Sequence, residues 1–160
     1  MRIKGLRDED FVNYKKPSLF IGSIVCDWKC CNEQCLDKSV CQNSSLATSK
    51  IINMSTDEIF RRYINNSITK AIVIGGLEPF LQFEEVVNLV DHFRANKCND
   101  DFVIYTGYYR DEIIKQIDCL QQYENVIVKF GRYIPGHEKH YDDALGVYLA
   151  SNNQYAEKIS

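Results

Sequence analysis

Ala71-Ile72-Val73-Ile74-Gly75-Gly76-Leu77-Glu78-Pro79 is the stretch on which the fold turns. Four apolar residues in succession read as a strand buried on both faces, and the glycine pair breaks the run. Phe83, Val86, Val87, Val90 and Phe93 then recur at helical spacing behind it. Upstream, Ser55-Thr56-Asp57-Glu58 has capping-box spacing and precedes Ile59, Phe60, Tyr63 and Ile64, a helical stripe that stops near Asn65-Asn66. Farther upstream, the apolar run from Leu19 to Val25 ends directly at Cys26. Downstream, Phe102 to Tyr105 is strand-like, Ile113, Ile114, Ile117 and Leu120 lie on a helix, and Val126 to Val128 is strand-like again. Gly146 to Ala150 supplies a fifth candidate strand.

Continuously apolar strands separated by amphipathic helices predict an α/β fold in which a parallel sheet is covered by helices. Right-handed crossovers then put the C-terminal ends of the strands on one edge, so Cys26, Gly75-Gly76, Thr106-Gly107 and Gly131 are expected to share one mouth. No Pro/Gly/Ser-rich linker or internal repeat divides the 160 residues, and a single domain over 1–160 follows. Nineteen basic and twenty-two acidic residues give a net charge of −3, too balanced to imply nucleic acid or an anionic membrane as partner. The apolar runs are short for a membrane span, and Met1-Arg2-Ile3-Lys4 leads into charged residues, so a cytoplasmic protein is expected.

Five of the seven cysteines, Cys26, Cys30, Cys31, Cys35 and Cys41, fall within sixteen residues. In a reducing compartment such crowding indicates a metal or redox site, and a chain of this length reaches a stable core without one. Cys26 and Cys30, four apart on a loop after a strand, suit one metal centre, with a third ligand from Cys31, Cys35 or Cys41. Three thiolates on a four-iron cluster leave one iron open, whereas four around zinc make a closed structural site; the thiol count alone fits both. The Gly75-Gly76-Leu77-Glu78-Pro79 turn tips the balance, because bare backbone at a strand end lets a ligand approach and Glu78 can accept hydrogen bonds from an amine. His137-Glu138-Lys139-His140 is expected to be solvated loop, with Arg132 and Lys139 as weaker candidates for partner contact, and His92 reads as a surface or boundary residue on a helix.

Taken together, these residues resemble the radical S-adenosylmethionine (SAM) enzymes, in particular the activating proteins of anaerobic ribonucleoside-triphosphate reductases. Cys26 and Cys30 match the first two cysteines of the family's C-x3-C-x2-C loop, and Cys41-Gln42-Asn43 matches its third cysteine with the asparagine that follows. Gly75-Gly76-Leu77-Glu78-Pro79 is similar to the GGEP segment, and Tyr105-Thr106-Gly107-Tyr108 to a motif of the reductase activases. Phe130-Gly131-Arg132-Tyr133-Ile134 and Ser151-Asn152-Asn153-Gln154 resemble two later segments of that subfamily. Two departures stand out: ten residues rather than two lie between Cys30 and Cys41, and Leu77 is inserted ahead of Glu78.

The resemblance implies a partial (βα) barrel with a mostly parallel sheet of about five strands. It implies a [4Fe-4S] cluster on Cys26, Cys30 and Cys41, with Cys31 as substitute, and SAM chelating the open iron. Gly75, Gly76, Glu78 and Pro79 would hold the methionine end, Tyr105 and Gly107 would border the adenosine, and Asn43 would belong to the same cofactor site. The implied chemistry is reductive cleavage of SAM to a 5′-deoxyadenosyl radical that abstracts hydrogen from a glycine of a separate anaerobic ribonucleotide reductase. A reduced flavodoxin- or ferredoxin-type protein would supply the electron. A radical SAM reaction on another peptide or small molecule, and a non-enzymatic zinc-stabilised module, are the competing readings.

Overall fold

The computed structural model describes all of residues 1–160. The chain begins with two short strands, β1 (Arg2–Ile3) and β2 (Gly5–Asp10), followed by β3 (Ser18–Gly22). The cysteine-rich segment carries only α1 (Lys29–Asn32), a 3₁₀ turn (Lys38–Val40) and α2 (Ser44–Thr48) before β4 (Ile52–Asn53). Regular alternation then sets in: α3 (Thr56–Ile64), β5 (Ala71–Gly75), α4 (Phe83–Ala95), β6 (Asp101–Tyr105), α5 (Ile114–Leu120) and β7 (Val126–Phe130). The chain ends with β8 (His140–Asp142), β9 (Val147–Leu149) and β10 (Tyr155–Lys158).

The main sheet has six strands in the order β10-β7-β6-β5-β3-β2. Its centre is parallel and in step: Gly22 lies opposite Gly75, Ile74 opposite Ile104, and Tyr105 opposite Lys129. Register of this kind brings the C-terminal ends of β3, β5, β6 and β7 to one edge, as the sequence pattern requires. All five residues of β5 and of β7 are buried, which is why both read as unbroken apolar runs apart from Lys129.

One face of the sheet packs against α3, α4 and α5 in a core of 22 buried residues, where Phe93 meets Phe60, Tyr63 and Phe102 ring to ring. Truncating Phe93, fully buried, to alanine would cost about 3–5 kcal/mol. On the other face, Ala71, Val73, Val103 and Ile127 of the sheet form a second, seven-residue cluster with Tyr14 from the β2–β3 connection and Leu145 and Leu149 from the terminal ribbon. Ser55 caps α3 as its spacing predicts, its Oγ accepting the Glu58 N–H at 3.0 Å.

The partial-barrel expectation does not hold. The sheet is mixed: β2 runs antiparallel to β3 and β10 antiparallel to β7, so a parallel run of four strands is closed off at both edges. Physically, the β2–β3 connection reverses the chain and turns β2 back along β3, and β10 returns along β7 after the ribbon, so no parallel strand can continue the curl. The predicted strand near the end exists as β9, but it pairs with β8 in a separate two-stranded ribbon and not with the main sheet. The architecture is a small α/β protein with few helices. No helix is long and apolar enough to cross a membrane.

Candidate metal centre

From Gly22 the chain turns through Ser23, whose N–H donates to Gly75 O at 2.9 Å, and runs along the sheet edge to Cys26. Trp28 then adopts φ 63°, a left-handed conformation uncommon for a side chain of this size, and so starts the single helical turn bearing Cys30 and Cys31. Four thiols, Cys26, Cys30, Cys31 and Cys41, line one cleft of about 490 Å³, while Cys35 is exposed and outside it. Backbone N–H groups already face two of the sulfurs: Trp28 donates to Cys26 Sγ at 3.3 Å and Asn43 to Cys41 Sγ at 3.4 Å. Such N–H···S contacts are among the levers that set a cluster's potential. The ten-residue insertion is folded against this edge, because Gln34 Nε2 donates both to Cys30 O (2.6 Å) and to Tyr133 O (3.0 Å).

Opposite the cysteines stands Glu78, nearly completely buried. Its Oε1 accepts the Thr106 hydroxyl (2.7 Å) and the Phe80 N–H (3.1 Å), and its Oε2 accepts the Gly107 N–H (2.9 Å). Burial pushes the carboxyl up to about 7 against the pull of those donors. The extra Leu77 is buried in the turn and Glu78 N–H donates to Val25 O at 2.8 Å, so the inserted residue leaves the carboxylate facing the cleft. Gly76 has φ +79°, and a Cβ there would meet Leu46 Cδ2 at 2.4 Å, so this position requires glycine on backbone grounds. Gly107 is confined as well: a Cβ would lie 3.1 Å from Cys30 Sγ.

Of the residues read as cofactor-binding, Asn43, Gly76, Glu78, Tyr105 and Gly107 line the cleft. Gly75 and Pro79 do not. Gly75 packs its backbone against Tyr105, where a Cβ would come within 2.9 Å of Tyr105 Cβ, and Pro79 opens the short 3₁₀ turn that Glu78 caps.

One basic residue of the site, Lys129, went unassigned in the sequence, and another, Arg132, was assigned only to partner contact. Lys129 is 6% exposed and lines the cleft; its Nζ donates to Gly131 O (2.9 Å) and Thr106 O (3.5 Å), and burial pulls the ammonium down to about 8. A lysine interrupting the apolar run Val126-Ile127-Val128-Lys129-Phe130 was the available signal. Arg132 is buried within the chain, and its guanidinium reaches Glu33 Oε1 (2.8 Å) and Oε2 (3.0 Å), Glu112 Oε1 (2.8 Å) and Oε2 (2.5 Å), and Gly107 O (2.5 Å). It ties the cysteine segment to the β6–α5 connection. Ser151 and Gln154 hold the other side of this strand end, with Ser151 Oγ accepting the Ile134 N–H and Gln154 Nε2 donating to Gly131 O. His137 and Lys139 are exposed as expected, and His92 is only partly covered.

Four thiols around one cleft, two of them already accepting backbone N–H groups, are a donor set that an iron–sulfur cluster can use. A family model described as a 4Fe-4S single cluster domain matches residues 22–155, from the end of β3 to the start of β10. The chain belongs to that iron–sulfur family. No curated protein and no solved structure matches the chain.

Proposed function

We propose that the protein is a radical SAM activase, which cleaves SAM reductively at a [4Fe-4S] cluster and generates a glycyl radical on an anaerobic ribonucleotide reductase. The observation that carries this reading is one cleft shared by the cysteine segment, the Glu78 carboxylate and the Tyr105-Thr106-Gly107 strand end. Cys26, Cys30 and Cys41 would hold the cluster: all three line the cleft, and the sulfurs of Cys26 and Cys41 each accept a backbone N–H. When bound and reduced, that cluster supplies the electron that breaks the sulfonium bond.

The chain's own residues supply recognition. Three of the roughly four acceptor positions of the Glu78 carboxylate are filled by Thr106, Phe80 and Gly107, which leaves one on Oε2 for the ammonium of an amino acid. Lys129 uses two of its three N–H donors on carbonyls and keeps one for an anionic group such as a carboxylate. Tyr105 and Gly107 border the side where adenosine would lie.

The test is anaerobic reconstitution with iron and sulfide, a count of bound iron and zinc, and electron paramagnetic resonance (EPR) of the reduced protein with and without SAM. A four-iron signal perturbed by SAM, with 5′-deoxyadenosine on turnover and a glycyl-radical signal on adding the reductase subunit, is expected. Tightly held zinc with no response to SAM overturns the reading. SAM cleavage without a radical on the reductase leaves the chemistry and removes the partner.

A further inference from the structure

The proposed ligand set leaves one cleft thiol over. Cys31 is 4% exposed, yet it belongs to neither apolar core cluster and instead lines the cleft beside Cys30 and Cys41. Cys30, on the same helical turn, sits against the β6 end, where a Cβ on Gly107 would lie 3.1 Å from its sulfur. Successive residues of a helical turn point about 100° apart, so Cys30 and Cys31 reach the cleft along different directions. Cys31 Sγ also makes no hydrogen bond, unlike Cys26 and Cys41. A buried thiol that is outside the core and free of polar partners, in a cleft with three other thiols, has the placement of a ligand.

We propose that Cys31 is a fourth, displaceable ligand of the cluster: it closes the iron that three cysteines leave open, and the amino-acid end of SAM replaces it. This rests on the reading of the site as a three-thiolate, SAM-binding centre. The exchange is a substitution without redox change. One iron–sulfur bond breaks, the SAM ammonium gives up one proton, its nitrogen and a carboxylate oxygen form bonds to iron, and the released thiolate takes up that proton, so charge and protons balance. The closed form protects the cluster, because dioxygen takes one electron from a cluster whose open iron then departs as Fe²⁺, leaving a three-iron cluster with its own EPR signal.

The experiment compares the full-length wild type with Cys31→Ala and Cys31→Ser, all reconstituted anaerobically. It measures iron per chain, the rate at which the three-iron signal grows in air, and SAM affinity read from the perturbed EPR signal. If the open form is about a tenth of the resting population, Cys31→Ala binds SAM about tenfold more tightly and forms the three-iron species about tenfold faster. It should hold as much iron as wild type while oxygen is absent. Cys31→Ser keeps the side chain's volume and must shift both quantities in the same directions, which preserves the test if the alanine variant folds poorly. Equal rates and equal affinities in all three proteins overturn the inference while the proposed function stands. Loss of the four-iron cluster from both variants under anaerobic conditions also overturns it, since Cys31 would then be a permanent ligand. A wild type that takes up no four-iron cluster removes the proposed function and this inference together.

Discussion

Glu78 Oε2 accepts the Gly107 N–H at 2.9 Å, so one carboxylate bridges the ends of β5 and β6 at the floor of the cleft. The contact makes Glu78 both a recognition group and a stitch between strands, and the two roles separate on substitution. Glu78→Gln puts an NH2 where one donor (at Oε2) or two (at Oε1) now point and should cost about 1–3 kcal/mol of stability. Urea unfolding checks that loss. Iron content should stay at the wild-type level while SAM affinity falls, because the cysteines do not depend on Glu78 for their place.

Arg132 is the second load point of the site. Arg132→Met would strand two carboxylates, Glu33 and Glu112; because both keep some access to water, the expected cost is roughly 1–3 kcal/mol, below that of a fully buried pair. The cysteine segment should loosen before the sheet does. Faster alkylation of Cys30 in the unloaded protein, with the α3–α5 face still protected from hydrogen exchange, is the expected pattern.

The same contact sets an acid limit. Hydrogen bonding to Arg132 foremost, with the Tyr109 N–H and Lys29 adding to it, holds the Glu112 carboxyl down at about 2 against an ordinary 4.5. A carboxyl lowered by folding stabilises the protein above its unfolded value and loses that contribution as pH falls from 4.5 through about 2. Unfolding midpoints measured across that window should drop more steeply for wild type than for Glu112→Gln, which lacks the titrating group.

Among the cysteines, position predicts effect. The double variant Cys30→Ala/Cys41→Ala, which leaves two cleft thiols, should lose most of its iron on reconstitution, whereas Cys35→Ala, at an exposed site outside the cleft, should load like wild type. Iron counted per chain decides between them.

Gly76→Ala tests the turn. Its φ of +79° makes any side chain strained by about 1–3 kcal/mol, and the new methyl would push aside Leu46, which anchors α2. Lower thermal stability should therefore come with weaker protection of residues 44–48 in hydrogen exchange.

The parallel centre of the fold was legible because its strands are apolar on both faces and its helices carry a clean stripe. The edges were not. β2 is Gly-Leu-Arg-Asp-Glu-Asp and β10 is Tyr-Ala-Glu-Lys, and edge strands carry charge to discourage pairing with other chains, which erases the alternation that marks a strand. Without those two strands the sheet read as an open parallel curl. The strand at Val147–Leu149 was legible, but its pairing with β8 was not, since composition says nothing of partner choice. In the site, the family resemblance singled out Cys26, Cys30, Cys41, Glu78 and Gly107, and the fold sets all five around one cleft. Arg132 could not be read as a clamp because its carboxylates lie 99 and 20 residues away, a distance only the folded chain closes.

The insertion between Cys30 and Cys41 is fastened to the rest of the protein by Gln34 and by the Glu33–Arg132 pair. Small metal-folded domains spend much of their binding energy ordering the chain around the ion. Contacts of this kind lower that ordering cost, so less of the cofactor's binding energy is consumed in folding the segment. The protein should keep its fold through repeated loss and repair of its cofactor, and the apparent affinity for iron and sulfide should report mainly the chemistry of the thiols.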